Sequence, residues 1–421
     1  MENWIKLSAL LCIFGFLKEI RPSDPFIFEY LAGEWRNITR EEVLRDVLPI
    51  ATYSQLAQLI IVFLITDLSR YKPLIIVLGI SGTVVWALLL WTTSMTGLTI
   101  AMIFHGTFTS TEIAYYTYIY AKVSPNYYQQ VTSHTRAALL GGKSLSGILA
   151  QILISFSLMD FRELNYITFS AIIAAMLWTI LLPSVQKSIY FHQTEDNQQE
   201  PTSTLDFKKA FSIMGKHFVD SYSDKYVLRW SIWWVLATAG YLQVQTYIQA
   251  LWHELGNYEP GYNGLVMTAL TIFGVVAALF AGILKFNWRL VGNLILVLWN
   301  LFAGGLVLGG AVTDSLASSY ICYVLFGGLY QFMITVGSSE IAKQISKDSH
   351  GLVFGFNMFL ALIIQTLLTL VVVTGNFGIM LEVKMQYWIY GIYFIAIGTL
   401  YIILGLGSWL VSKKDLKKTY S

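Results

Sequence analysis

The sequence predicts an all-α membrane protein with twelve transmembrane helices in two six-helix halves, and three observations lead to this prediction. Of the 421 residues, 56% are hydrophobic and only 12% are charged, which is roughly half the charged fraction of a soluble domain. Apolar runs of about 20 residues, each long enough to cross a bilayer, recur along almost the whole chain. One long polar segment divides these runs into six and six.

The first half contains six predicted spans. The first, "LSALLCIFGFL", is followed by "KEIRPSDPF" without a small-x-small cleavage site, so we expect a helix and not a removed signal peptide. The third and fourth spans are nearly continuous, because only "TTSMTGLT" separates them. The six spans are predicted at 5–22, 47–69, 73–93, 96–122, 130–157 and 164–183.

The polar segment between the halves covers residues 184–227. It is charged and rich in glutamine, and it contains Pro201, which is typical of a flexible linker. Its last part, "LDFKKAFSIMGKHFVDSY", has apolar residues at helical spacing, so we expect a helix on the membrane surface.

The second half repeats this arrangement and ends in the basic tail "KKDLKK". The predicted domains are therefore 1–183 for the N-terminal half, 184–227 for a cytoplasmic linker, and 228–421 for the C-terminal half with its tail. Six spans on each side of such a linker resemble the plan of major-facilitator transporters, whose solute site lies between the halves near the midplane. The second six spans are predicted at 228–252, 262–285, 289–312, 317–343, 351–374 and 386–411.

The positive charges predict the orientation in the membrane. With both termini in the cytoplasm, most lysines and arginines fall on cytoplasmic segments, although Arg36, Arg40 and Arg45 lie in the first outer loop. The sequon "NIT", which begins at Asn37, then lies in the same loop and predicts a glycosylated asparagine. We expect a multi-pass plasma membrane protein, and the net charge of +2 does not favour a nucleic acid partner.

Glu112 is a carboxylate inside an apolar run, in the stretch "HGTFTSTEIAYYTYIY". His105, Thr109, Tyr115 and Tyr116 lie three, four or seven residues away and share a helix face with it. A charge buried in a bilayer costs roughly 2.5–3.5 kcal/mol or more, so it usually has a function. A carboxylate beside aromatic rings suits a cationic heteroaromatic solute, because the charge attracts it and the rings give cation–π contact.

Other charges in apolar runs leave a second interpretation open. Arg136 and Lys143 lie in or near the fifth span, and either is predicted to form an internal ion pair with Glu112. Lys143 is flanked by small residues in "ALLGGKSLSG", which permit close helix packing. Glu340 lies near the inner end of the tenth span and is predicted to be an interfacial residue near Lys343.

The segment "TDLSRYKP" forms the short loop between the second and third spans. In major-facilitator proteins, an acid-x-x-basic loop at this place joins helix ends across the two halves. Asp67 and Arg70 fit that gating role, and an ordinary charged loop is the alternative.

The sequence has no motif that predicts an enzyme. His253 and Glu254 do not form a zinc motif, because Asn257 stands where the second histidine of HExxH would be. The chain also has no GxSxG, no Walker loop and no paired CxxC. We therefore expect neither a metal nor a cofactor.

Six blocks of sequence, spread in order over residues 10 to 405, resemble the solute carrier 19 family, which comprises the reduced folate carrier and the thiamine transporters. In this resemblance, Glu112 would receive the cationic vitamin, Tyr115 would line the site, and Asp24 would supply an outer acid in the first helix. The blocks are "IRPSDPFIFEYLAG", "TDLSRYKP", "EIAYYTYIYAKVSPNYYQQVTSHTR", "WSIWWVLATAGYLQVQTYIQALW", "YNGLV" and "LVFGFNMFLALIIQTLLTLVVV".

The two branches of that family differ in charge, and the resemblance favours the thiamine branch. The folate branch has basic residues at the positions that match Glu112, Gly327 and Gln365, and this chain has none of the three. The thiamine branch has a glutamate at the position of Glu112 and a glutamine at that of Gln365.

The chain also departs from the thiamine branch. Met102 and Met267 stand where that branch has acids, and Lys143 replaces an uncharged residue. Such changes make the site less hospitable to a cation, so a pyridoxine-like base or an anionic relative of thiamine stays open as the solute. The other departures are Ala51, His105 and Thr246.

We therefore expect a transporter of thiamine, or of a related cationic heteroaromatic vitamin, that works by alternating access. Gln245 and Asn263 are expected to add contacts from the second half. Protonation of Glu112 or His105 would couple transport to pH. Two alternatives stay open: a folate or organic-anion exchanger that uses the basic residues of the fifth span, and a non-transporting membrane sensor with the same fold.

Overall fold

Helices make up nearly all of the structure, which is a computed structural model of the chain. It describes residues 3–36, 38–123, 127–185, 207–256, 261–284, 286–346, 349–375 and 381–419. The helices of the first half are α1 (Asn3–Glu19), α2 (Ile27–Leu31), α3 (Arg40–Glu42), α4 (Leu48–Leu68), α5 (Lys72–Trp91), α6 (Met95–Lys122), α7 (Tyr128–Ser155) and α8 (Glu163–Thr179). The helices that follow are α9 (Phe207–Ser223), α10 (Lys225–Leu255), α11 (Asn263–Ile283), α12 (Trp288–Val312), α13 (Leu316–Ala342), α14 (His350–Leu368) and α15 (Val383–Thr419).

The long helices lie where the sequence predicts spans, so the all-α fold class is confirmed. Within the described ranges, eight helical segments are long and apolar enough to cross a membrane. Helices α1, α6, α8 and α10 occupy the other four predicted positions and are shorter or more polar. Three of them, α1, α6 and α10, carry the polar residues of the site described below.

The first predicted span is broken and continues beyond its predicted end. Helix α1 ends at Glu19, a 3-10 turn follows at Asp24–Phe26, and α2 begins at Ile27. Pro22 and Pro25 account for the break, because proline lacks an amide hydrogen and disfavours helical geometry in the residue before it. Four of the five α2 residues are buried. The structure therefore places Asp24 at the break between α1 and α2.

Short polar signals set several helix ends. The Ser94 hydroxyl accepts a hydrogen bond from the Gly97 amide at the start of α6, at 3.1 Å. The Asp224 carboxylate accepts one from the Tyr226 amide at the start of α10, at 2.7 Å. Pro73 lies in the first turn of α5, where its missing amide hydrogen would have no helical partner. These caps fix where the spans begin.

The predicted helix at the end of the linker is present as α9. The Tyr222 hydroxyl donates to the Asn357 side chain of α14 at 2.8 Å, and the Phe218 ring packs edge-on against Phe356 at 4.9 Å. Helix α9 therefore packs on the second half. The middle of the linker, residues 186–206, lies outside the described residues, and the domain boundaries stay a prediction.

The turn between α4 and α5 carries the predicted gating loop. Arg70 and Tyr71 have positive φ angles of 62° and 68°, a conformation that side chains disfavour. Tyr71 is buried and its amide donates to the Thr66 carbonyl at 3.0 Å, whereas Arg70 is exposed. The side chain of Asp67 lies outside the described part of the structure, so the gating role stays a prediction.

Glycines allow α7 to approach helices of both halves closely. A Cβ atom on Gly142 would lie 2.6 Å from the Phe16 carbonyl oxygen of α1. A Cβ atom on Gly264 of α11 would lie 2.5 Å from the Gly147 carbonyl oxygen of α7. Helices α4 and α14 form a second contact between the halves. The close packing predicted for "ALLGGKSLSG" is confirmed.

The two ends of the helix bundle are named here by the linker: α10 begins at the linker end and finishes at the distal end. Near the distal end, the Gln249 side-chain amide donates to the Asp24 carbonyl at 2.8 Å and accepts from the Phe28 amide at 3.1 Å. Beside it, Nδ1 of His253 lies 2.6 Å from the Glu29 carboxylate. These contacts, which we name the distal latch, join the two halves.

Candidate functional site

Glu112 lies near the middle of α6 and forms an ion pair with Lys18. The Lys18 ammonium lies 2.5 Å from the Glu112 carboxylate, and the lysine side chain is fully buried whereas that of Glu112 is 25% exposed. The sequence predicts an ion pair with Lys143 or Arg136, and the structure instead gives Lys18 as the partner. Helix α1 lies against α6, where the Tyr115 hydroxyl also bonds to the Leu11 carbonyl, and Lys18 in its last turn reaches Glu112.

Four charged residues around the break in the first span join Glu112 in a network. Lys18 also lies 2.7 Å from Glu19, and Arg21 lies 3.1 Å from Glu19 and 3.3 Å from Asp24. We name these five residues the charge cluster. Each buried charge has an oppositely charged neighbour, which is the condition for tolerating charges away from water.

Aromatic rings line one side of the charge cluster. The Lys18 ammonium lies 5.9 Å from the centre of the Phe108 ring. The Arg21 guanidinium lies 5.8 Å from that ring and 5.9 Å from the ring of Trp86. These distances fall within cation–π range, so the rings add to the stabilisation of the two buried cations.

The two neighbouring tyrosines of α6 have different surroundings. Tyr115 is fully buried, and its hydroxyl donates to the Leu11 carbonyl of α1 at 2.9 Å. Tyr116 is 44% exposed, and its ring lies 5.4 Å from that of Tyr115. Tyr116 therefore presents an exposed ring one helical turn from Glu112, whereas Tyr115 holds α6 against α1.

His105 and Thr109 lie on α6, on the distal side of Glu112. The Thr109 hydroxyl donates to the His105 carbonyl of its own helix at 3.0 Å. The centre of the His105 imidazole ring lies 6.4 Å from the centre of the Phe108 phenyl ring. His105 and Thr109 are both half-buried. Their positions join them to the aromatic side of the charge cluster.

Arg136 and Lys143 lie on α7, two turns apart on one face, and both side chains are exposed. Lys143 interacts electrostatically with Glu19 and Asp24. Arg136 interacts electrostatically with Tyr116. The two cations therefore flank the charge cluster and are open to solvent or solute.

The two candidate site residues of the second half differ in burial. Gln245 on α10 is half-buried. Asn263 is buried, and its side chain accepts a hydrogen bond from the Tyr320 hydroxyl at 2.8 Å, which joins α11 to α13. Asn263 therefore has a packing role in this structure.

Glu340 is predicted to be interfacial, and its environment agrees with that interpretation in part. Lys343 lies 2.5 Å from its carboxylate, and the Tyr226 hydroxyl donates to it at 2.5 Å. The side chain is nevertheless buried. It belongs to the packing of the second half.

Sequence reasoning missed Lys18, Glu19, Arg21 and Gln249. The signal that could have found the first three is "IRPSDP", because a proline-interrupted apolar segment is the best sequence indication of a transporter site. Gln249 lies on α10 and has no such signal. The other predicted position, Asn37, lies outside the described residues, and glycosylation stays a prediction.

The fold is that of major-facilitator-type transporters. The structure superposes on the crystal structure of the POT family transporter PepTSo with a TM-score of 0.72, over 97% of this chain and 99% of that chain. The sequence identity is 10%, so this likeness shows the fold alone.

Within that class, the chain belongs to the reduced folate carrier family, whose model matches residues 2–389. It is 34% identical to thiamine transporter 2 of Homo sapiens, over 96% of this chain and 90% of the relative. It is also 34% identical to folate transporter 1 of Caenorhabditis elegans, over 95% and 91% respectively. The predicted family is confirmed, and the protein is a carrier rather than an enzyme. Since these two identities are equal, the solute has to be inferred from the site.

Proposed function

We propose that the protein moves thiamine, or a related cationic heteroaromatic vitamin, across the plasma membrane by alternating access. The observation that carries the proposal is the partly exposed carboxylate of Glu112, which lies one helical turn from the exposed ring of Tyr116. A carboxylate in low-dielectric surroundings attracts a cation strongly, and the ring face adds cation–π contact. Thiamine is the solute that the name of one relative specifies.

The charge balance of the cluster supports a cationic solute. The cluster holds three carboxylates and two cations, and Lys18 already has Glu19 as a second acidic partner. The five residues alone therefore carry one excess negative charge, and the exposed cations Lys143 and Arg136 lie beside them. An incoming cation would add to the partners of the partly exposed Glu112 carboxylate.

The distal latch and the glycine contact between α7 and α11 support a state that is closed at its distal end. We propose that this end faces the outside of the cell and that both termini are cytoplasmic. In this state, the site would exchange solute with the cytoplasm through the linker end. Transport then requires the latch to open and the linker end to close.

Proton coupling at Glu112 or His105 is part of the proposal. Glu112 and His105 lie on the same helix, α6. Protonation of Glu112 would remove its attraction for both Lys18 and the solute. An imposed pH gradient is expected to change the rate of thiamine uptake into liposomes that contain the wild-type protein.

A second function is supported by a specific observation: Arg136 and Lys143 are both exposed beside the cluster. With these two cations, the protein would exchange folate or another organic anion. The relative that is named a folate transporter has the same overall identity to this chain.

Competition separates the two functions. Uptake of labelled thiamine is measured in cells that express the chain and in empty-vector cells, with excess unlabelled thiamine, pyridoxine or folate. We expect saturable uptake that thiamine blocks and folate does not. Uptake of labelled folate, unaffected by thiamine, would favour the anion exchanger. Saturable thiamine binding without any uptake would indicate a sensor.

A further inference from the structure

Lys18 bridges two carboxylates inside the helix bundle. Its ammonium lies 2.5 Å from Glu112 and 2.7 Å from Glu19, and the side chain has no exposed surface. Glu19 is itself held by Arg21 at 3.1 Å. The lysine therefore has one acidic partner within its own helix and a second acidic partner on α6.

The two partners differ in their access to solute. The Glu112 side chain is 25% exposed, whereas that of Glu19 is 6% exposed. Lys18 approaches Glu112 from the buried side, and the exposed ring of Tyr116 lies on the same helix. A solute cation that approaches Glu112 would meet a carboxylate already bound to an ammonium group.

The contacts of Lys18 are also those that a cationic solute would make. The ammonium has a carboxylate partner and lies 5.9 Å from the Phe108 ring centre. A carboxylate with an aromatic ring is the combination that we propose for the solute. The protein therefore supplies a cation of its own at the cation site.

We propose that Lys18 is a tethered competitor of the solute and thereby determines specificity, an inference that rests on the proposed function. In the absence of solute, Lys18 neutralises part of the Glu112 charge. When a cation binds, Lys18 gives up Glu112 and keeps Glu19. This second partner makes the exchange possible, because a buried ammonium without any partner would be strongly destabilising.

The competition weakens binding of cations and leaves neutral solutes unaffected. Removal of the Lys18 charge should therefore lower the KM for thiamine uptake by about tenfold, near the low end of measured couplings between close charge pairs. The inhibition of uptake by pyridoxine, which carries no net charge near neutral pH, should change far less. A purely structural role for Lys18 would not produce this charge selectivity.

The test compares thiamine uptake by the wild type, Lys18→Gln, and the double variant Lys18→Gln with Glu19→Gln. The double variant removes one charge of each sign and leaves Arg21 its contact with Asp24. Lys343→Gln is the matched control, because Lys343 pairs with Glu340 in the second half. All rates are normalised to the amount of protein at the cell surface.

A lower KM for thiamine in both Lys18 variants, with the control unchanged, is the expected result. An unchanged or higher KM would overturn the inference. Failure of both Lys18 variants to fold, while the control folds, would overturn it too, since Lys18 would then be structural. If the wild type takes up no thiamine, the proposed function fails separately. In that case a gain of thiamine uptake in Lys18→Gln would still support competition, and no gain would overturn it.

Discussion

Tyr115 and Tyr116 are adjacent on one helix and differ in burial, which fits a packing role for Tyr115 and the proposed binding role for Tyr116. The Tyr115 hydroxyl donates to the Leu11 carbonyl in the middle of α1, where it joins α6 to α1. The Tyr116 ring projects from the same helix with 44% of its surface exposed. Both residues were candidates from the sequence, and burial separates their roles.

This difference predicts opposite effects of two substitutions. Tyr115→Phe removes a buried hydrogen bond and should lower the free energy of unfolding by about 1 kcal/mol, with little change in the KM for thiamine. Tyr116→Ala should raise the KM with little effect on stability. Thermal unfolding of the purified protein and uptake kinetics measure the two effects. The reverse pattern would place Tyr115 in the site.

The residue-scale predictions from sequence rest on residues that are unusual in their segments. Glu112 was predicted as a site residue, because a carboxylate in an apolar run is conspicuous. Its partner Lys18 was not predicted, because a lysine near the end of a short apolar run is an ordinary flanking charge. Its burial follows from the tertiary fold, in which α1 packs on α7 and α8 and Lys18 faces Glu112.

At the scale of the elements, the broken first span brings the charge cluster and the distal latch together. In the turn at Asp24–Phe26, the Asp24 carbonyl accepts a hydrogen bond from the Gln249 side chain of α10, and the Asp24 carboxylate pairs with Arg21. One short segment therefore contacts both the site and the opposite half. This connection gives a physical route by which solute at the cluster would affect closure of the distal end.

Loss of the Gln249 side chain should loosen the distal latch. In Gln249→Ala, the Phe28 amide loses its acceptor, so backbone amides of 24–31 should exchange with deuterium faster than in the wild type. Gln58→Ala is the control, because Gln58 bonds to Ser54 and Ile103 within the first half. Hydrogen exchange read by mass spectrometry measures the effect. Equal exchange in the wild type and Gln249→Ala would show that the latch does not hold this segment.

Helix positions could be predicted well from the sequence, since the long apolar runs leave little choice of structure. The end of the first span could not be predicted from the sequence. The chain becomes polar at "KEIRPSD", although it continues inside the bundle into α2. The buried charges that lower the apolarity are neutralised only by tertiary contacts. Hydrophobicity along the chain does not register such contacts.

At the scale of the whole molecule, close backbone contact between α7 and α11 joins the halves in addition to the side-chain contacts of the distal latch. Helices α7 and α11 approach at Gly147 and Gly264, and the Gln151 side chain accepts a hydrogen bond from the Gly264 amide at 3.1 Å. Such an interface can be separated and remade as a unit. It suits a carrier whose halves rock about a central site.

A methyl group added at this interface should therefore lower the stability of the protein. In Gly264→Ala, the new Cβ would lie 2.5 Å from a backbone oxygen of α7, so we expect a loss of stability of about 1–3 kcal/mol and slower transport. Gly305→Ala is the control, because nothing lies within 4 Å of a Cβ at that position. Thermal unfolding in detergent compares the two. Equal melting temperatures for Gly264→Ala and Gly305→Ala would show that the helices separate easily.

The central claim is that the Glu112 carboxylate binds the solute cation, and one measurement tests it most directly. Saturable uptake of labelled thiamine is compared between the wild type, Glu112→Gln and the control Glu340→Gln, whose carboxylate is buried and paired with Lys343. In Glu112→Gln, Lys18 keeps Glu19 as its partner, so the variant is expected to fold. We predict that Glu112→Gln lowers uptake roughly tenfold or more while Glu340→Gln transports like the wild type. Full uptake by Glu112→Gln at normal surface levels would contradict the account.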